Sequence, residues 1–129
     1  MSNPFTHKKL TEVKDSAVDF GHGDAMEARF AGGDLEAEDT GFGFHRLKPG
    51  KRIPFGHNHE EAEEVYVIVR GDGRMKLDDE VIEVERLDAI RVAPEVTRGF
   101  EAGDEGLEIL VFGPRHDGDG EVYPGWWGD

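Results

Sequence analysis

Gly50-Lys51-Arg52-Ile53-Pro54-Phe55-Gly56-His57-Asn58-His59-Glu60-Glu61-Ala62-Glu63-Glu64, running on through Val65-Tyr66-Val67-Ile68-Val69-Arg70 to Gly71, is the stretch whose reading decides the fold. His57 and His59 are two apart, so on a strand both imidazoles leave the same face. Glu64 follows across a short turn, opens the next strand, and can point back at them. Two imidazoles and one carboxylate on a shared face suit a divalent first-row metal. The plainer alternative is a pair of surface histidines beside an acidic loop. The placement of Glu64, framed by glycines and followed by an apolar strand, favours the shared site. Val65 to Val69 is apolar on both faces, which predicts a central strand covered on both sides.

Outward from this stretch the chain reads as short strands separated by turn residues. Gly41 to Leu47 leads into Pro49-Gly50, and Arg52 to Asn58 precedes the strand Glu64 to Arg70, which is expected to stop at Gly71-Asp72-Gly73. Arg74 to Leu77 alternates and meets Asp78-Asp79, a hairpin signal. Val81 to Glu85 places Ile82 and Val84 together and turns Glu83 and Glu85 to water. Leu87 to Val92, Val96 to Glu101 and Leu107 to Phe112 complete the series. Seven or eight strands at this spacing predict an all-β sandwich or small barrel. Met26 to Phe30 is a further short strand, placed on the edge. No stretch sustains helical periodicity, and no repeat or linker is visible. The reading is one domain: an N-terminal arm over residues 1–40, a barrel core over 41–113 and a Gly- and Asp-rich tail over 114–129.

Composition sets limits on function. The chain has 129 residues, 29 acidic against 15 basic, a net charge of −14 and no cysteine. That length supports one self-sufficient core. The absence of cysteine removes disulfides, Fe–S clusters, thiolate zinc sites and cysteine nucleophiles. So acidic a body repels nucleic acid and anionic membrane surfaces. The basic residues near the start are followed by no apolar run, so no signal peptide is read, and a cytoplasmic protein is expected. Lys-poor acidity fits a high-salt interior or an ordinary acidic protein equally well.

The quoted stretch resembles the first motif of the cupin superfamily: Gly, five residues, His-x-His, three or four residues, Glu, six residues, Gly. Here the opening gap, from Gly50 to His57, is one residue longer. Glu63 satisfies the shorter inner gap, but the six residues before Gly71 select Glu64. The second cupin motif, Pro-x-Gly-x-x-His before an apolar strand, is matched only in outline by Pro94-Glu95-Val96-Thr97-Arg98-Gly99-Phe100, with Gly103-Asp104-Glu105 and Leu107 to Phe112 following. The resemblance covers residues 41–113. It implies a single-domain double-stranded β-helix, or jelly-roll barrel, and a homodimer paired through sheet edges. It also implies a divalent transition metal (Fe, Mn, Ni or Zn) on His57, His59 and Glu64, with dioxygenase-, isomerase- or decarboxylase-like chemistry among the possible activities, beside non-catalytic storage and sensing roles.

The departure is Arg98, where such a metal site draws its third histidine. A guanidinium has no lone pair to offer, and two unit charges at about 4 Å repel by about 4 kcal/mol at an effective dielectric near 20. Two settings remain open. Arg98 turns inward, pairs with Glu64 and replaces the metal, leaving a metal-free ligand-binding or sensing cupin. Alternatively it points to the barrel mouth, leaves an open His57–His59–Glu64 triad, and clamps a small anionic substrate with its planar fork. Tyr66 shares parity with Glu64 and is a second substrate-binding candidate, with barrel filling as its plainer role. His45 either lines the barrel near the two histidines or packs in the core. Asp117-Gly118-Asp119-Gly120-Glu121 has the start of a calcium loop but not the rest, and reads as a solvated turn. Gly41-Phe42-Gly43 lacks the context of a dinucleotide fingerprint. Trp126 and Trp127 are expected to cover a barrel face or a subunit contact, while His7, His22 and His116 carry no signal.

Overall fold

A computed structural model describes residues 4–115 and 119–128. The architecture is all-β, as the short alternating runs predict. The strands are β1 (Met26–Phe30), β2 (Thr40–Leu47), β3 (Phe55–His59), β4 (Glu64–Leu77), β5 (Glu80–Glu85), β6 (Ala89–Val92), β7 (Arg98–Pro114) and β8 (Gly120–Pro124). Among the described residues the one helical element is a 3₁₀ turn at Leu10–Glu12, and no helix is long and apolar enough to cross a membrane.

The eight strands curl into one sheet in which β7 is the spine. β1, β2, β7, β3 and β8 follow one another as hydrogen-bonded neighbours, while β4 pairs with β5, β6 and β7. Along its C-terminal half β7 runs between β2 and β4, with Ile109 opposite both His45 and Ile68. Along its N-terminal half it runs between β4 and β3, with Arg98 opposite both Leu77 and His57. This register carries the motif histidine strand and the Arg98 position to one end of the barrel. Leu47, Tyr66, Ile68, Met75, Val92, Phe100, Leu107 and Ile109 fill the interior, all of them buried. The arm contributes Val13 and Ala17 to buried positions and β1 to the edge of β2.

Three expectations are corrected. Gly71-Asp72-Gly73 does not end a strand: β4 runs through it to Leu77 with register shifts at Ile68/Arg70 and Gly71/Gly73, so the glycines make bulges that bend the strand. Gly103-Asp104-Glu105 likewise lies inside β7. The strand Val65 to Val69 is central in pairing, but only Tyr66 and Ile68 are buried and the alternate valines are half-covered. Gly71 is required where it stands. Its φ is 80°, and an added Cβ would lie 2.0 Å from the Gly106 carbonyl oxygen. Gly71→Ala is therefore expected to cost at least about 2 kcal/mol, read as a lower denaturant midpoint with an unchanged slope.

The tail is more than a cover. β8 lies beside β3 with His57 opposite Val122 and His59 opposite Gly120. Trp126 then closes over the strand, so that a Cβ on Gly56 would fall 2.5 Å from its ring. Lys76 Nζ donates to the Trp126 carbonyl at 2.7 Å, and Trp127 Nε1 donates to the Ile53 carbonyl at 3.1 Å. The tryptophans thus cover a barrel face.

Candidate metal centre

His57 and His59 sit two apart on β3 and face the same way, because a strand repeats every second residue. Glu64 opens β4, where pairing with Val92 on β6 fixes it. The three residues each bring one donor atom within 4.8 Å of the others. Glu64 Oε1 is the hub. It accepts the Tyr66 hydroxyl at 2.7 Å and lies 3.2 Å from His59 Nε2, 3.6 Å from His57 Nε2 and 3.8 Å from Arg98 Nη1. Glu63, the alternative ligand, points to solvent and pairs with Arg91 at 3.3 Å.

Asp119, which the sequence alone places in a solvated turn, completes this arrangement. Its carboxylate is only 8% exposed, and its Oδ1 lies 2.9 Å from His59 Nδ1. The same carboxylate accepts the backbone N–H groups of Glu60, Glu61 and Ala62. Those amides fix the carboxylate, and the carboxylate fixes the ring. With Nδ1 engaged, His59 presents Nε2 to Glu64, and that nitrogen is buried without a hydrogen-bond partner. Asp117 and His116 lie outside the described residues.

The charges follow from these contacts. Burial alone would push the Glu64 carboxyl up, but His57, His59 and Tyr66 together outweigh it and hold the group well below the ordinary carboxylate range. The adjacent Glu64 carboxylate raises His59 above its ordinary value against the opposing effect of burial, with Asp119 assisting. Burial and the charge of Glu64 push the Tyr66 hydroxyl up, so it stays a proton donor.

Arg98 takes the inward of its two expected settings. Its side chain is 0% exposed, Nη2 donates to the Ala93 carbonyl at 2.9 Å, and Nη1 faces Glu64. Nε and Nη1 have no hydrogen-bond partner. Tyr66 is buried with its ring against Phe100 and its hydroxyl on Glu64. Neither residue lines the cavity of about 510 Å³ that opens beside the histidines. That cavity is lined by His45, His57 and His59 with apolar residues from β1, β3, β8 and the arm. His22, which carried no sequence signal, is also on its wall and packs on Phe55 at 5.4 Å between ring centroids. His45 lies outside the three-residue donor cluster.

The donor set fits a divalent first-row ion. It offers two imidazoles and one ionised carboxylate, and His59 is oriented by a carboxylate on its far nitrogen, the usual support for a metal-ligating histidine. The buried Nε2, ion-paired with Glu64 at 3.2 Å but making no hydrogen bond, is the atom such an ion would satisfy. His57, His59 and Glu64 are the residues that would hold it.

Comparison with known proteins agrees with this fold. A cupin domain family model matches residues 43–113, more than half of the chain. An uncharacterised protein of Methanocaldococcus jannaschii is 40% identical over 55 residues, a stretch that is 42% of this chain and 44% of that relative, so the match spans less than half of either. Among solved structures, a cupin protein from Bacteroides fragilis superposes with a TM-score of 0.72 at 20% identity, covering 91% of this chain and 89% of that one. The polyketide cyclase RemF of Streptomyces resistomycificus gives 0.74 at 21% identity, covering 92% and 84%. Oxalate decarboxylase of Bacillus subtilis gives 0.74 at 21% identity over 94% of this chain, which spans only 32% of that longer protein. At these identities the structural likeness concerns the fold alone. The family match over the barrel core, with both histidines and the glutamate of the first motif brought to one point, makes this chain a member of the cupin family.

Proposed function

We propose that the protein binds one divalent first-row transition ion (Fe, Mn, Ni or Zn) through His57, His59 and Glu64 and acts on a small molecule admitted by the adjoining cavity. The observation that carries this reading is His59. Its Nδ1 is held by Asp119, and its buried Nε2 makes no hydrogen bond although it lies 3.2 Å from Glu64 Oε1. When bound, such an ion supplies Lewis-acid polarisation of a carbonyl or carboxylate, or redox chemistry with O₂. The chain's own residues do the rest. Asp119 holds the His59 tautomer, Tyr66 holds one oxygen of Glu64, and Arg98 places a fixed positive charge behind that carboxylate. An anionic head group on the small molecule would be met there by the ion, since Arg98 is buried away from the cavity.

Metal uptake tests the reading directly. Untagged protein, stripped with chelator and reloaded, is expected to retain one ion per chain, and His57→Ala is expected to retain none. Sub-stoichiometric metal in the wild type with every one of the four ions overturns it. Arg98→His should raise metal affinity at least about tenfold, because a donor replaces a cation beside the ion.

A second reading has its own observation. Arg98 Nη1 stands 3.8 Å from Glu64 Oε1 in the place of the third histidine. In that reading the pair replaces the metal and the cavity binds a ligand without chemistry. Failure of metal uptake in the wild type together with uptake gained by Arg98→His favours it.

A further inference from the structure

We infer that the cavity beside His57 and His59 takes a small molecule whose bulk is an uncharged, ring-sized apolar body, seated between Phe20, Phe30 and Phe55. The inference rests on reading this cavity as the place where the small molecule acts, and it names what that molecule is like away from its polar end.

The walls carry the argument. Phe20, Met26, Phe30, Ile53, Phe55 and Val122 line the space, and among the described residues no lysine or arginine does. Arg98, the cation nearest the histidines, is sealed from the cavity by its complete burial. His45 lies half-buried on the inner wall. Its ring meets Phe30 edge-on at 5.4 Å and extends the aromatic wall inward. The one carboxylate residue on the lining is Glu121, on the exposed strand β8. Away from the histidines, a compact, fully polar acid would bury its charge against these rings with no counter-charge to meet it. A flat apolar body would meet aromatic faces on several sides.

The mouth points the same way. Phe20, Phe30 and Val122 are 72%, 57% and 55% exposed, three large apolar side chains left in water at one opening. Their surface is concave and continuous with the barrel interior, and it leads to His57 and His59. A convex neighbouring protein would cover the rim and leave the interior unfilled. A small molecule fills both. The volume, about 510 Å³, lies within the usual range for small-molecule sites.

The probe is 2-naphthol, a neutral two-ring compound, titrated calorimetrically into protein stripped of metal and into protein reloaded with it, beside oxalate as a compact polar acid. Saturable 2-naphthol binding at one per chain is expected in both forms, because the walls and not the ion supply it. Phe30→Ala and, separately, Phe20→Ala should each weaken that binding by roughly tenfold. Both side chains are largely exposed, so both variants should fold. Oxalate should not bind the stripped protein. The inference is overturned if 2-naphthol does not bind, if neither variant weakens it, or if oxalate binds the stripped protein more tightly. It is also overturned if the variants change the sedimentation of the protein and not its ligand affinity, since a second copy would then cover this face. The two readings separate cleanly: 2-naphthol binding without metal uptake removes the metal reading alone, and metal uptake without 2-naphthol binding removes this inference alone.

Discussion

Glu64→Gln is expected to lower the melting temperature by roughly 10 °C or more in the presence of chelator, and to abolish metal uptake. The reason lies in Arg98. Its guanidinium is 0% exposed, and the carboxylate facing it is Glu64, with Oε1 3.8 Å from Nη1. Gln keeps an oxygen for the Tyr66 hydroxyl, which donates at 2.7 Å, so the change removes charge with little change of shape. A buried cation left without its counter-charge costs about 3–5 kcal/mol. In a domain of this size each kcal/mol moves the midpoint by about 3–5 °C. Glu64→Gln combined with Arg98→Met should recover most of the loss, because the double variant no longer buries an unpaired charge. A single variant that melts with the wild type would mean that Arg98 does not depend on Glu64.

The pH dependence has a definite sign. The folded-state pKa of Glu64 is lowered, so its contribution is fully present above the ordinary value of 4.5 and is lost as pH falls toward the lowered value. The gap in stability between wild type and Glu64→Gln should therefore be widest between pH 4.5 and 6.5, where Glu64 is ionised and His59 protonated, and narrow below pH 4.5. His59 contributes in the opposite sense. Its folded-state pKa is raised, so its stabilisation is present below 6.5 and fades as pH rises through the raised value. Thermal melts of the stripped protein across both ranges check the two signs.

The second large effect is expected at Asp119. Asp119→Asn should weaken metal affinity by about 10- to 100-fold, the usual loss when the carboxylate behind a ligating histidine is removed. Two functions meet in this side chain. It holds His59 Nδ1 at 2.9 Å, and it accepts three backbone N–H groups from the turn that leads to Glu64. Asn retains an acceptor for part of the turn, so the loss should appear mainly in chelator-competition affinity. Asp119→Ala removes both functions and should add about 1–3 kcal/mol of instability as well. Unchanged affinity in Asp119→Asn would mean that the ring is held by packing and not by the carboxylate.

How legible these features were depended on the distance over which they are encoded. His57, His59 and Glu64 could be read because two lie on one strand and the third opens the next, so period-two geometry alone brings them together. The strand series from Gly41 to Phe112 could be read from alternation, and Asp78-Asp79 from turn chemistry. Asp119 could not be read. It lies 60 residues beyond His59, and their contact depends on β8 pairing with β3. β8 is exposed along its whole length, so it carries no apolar alternation to reveal itself as a strand. Gly71-Asp72-Gly73 misled for a related reason: glycine marks both a turn and a bulge, and only the close approach of the Gly106 carbonyl tells which one is present.

The sequence by itself determined an all-β fold, the cupin resemblance and the two-histidine, one-glutamate donor set, because those depend on neighbours along the chain. The tertiary structure alone decided which way Arg98 turns, that Asp119 holds His59, and that Phe20 and Phe30 from the arm meet Phe55 and Val122 around one cavity. Each of these rests on residues brought together by sheet closure, where register and burial choose partners that spacing along the chain does not reveal. The charge of −14 bounded what the protein could bind, but among the described residues only the acidic side chains Glu64 and Asp119 meet at the histidines. That placement belongs to the curled sheet.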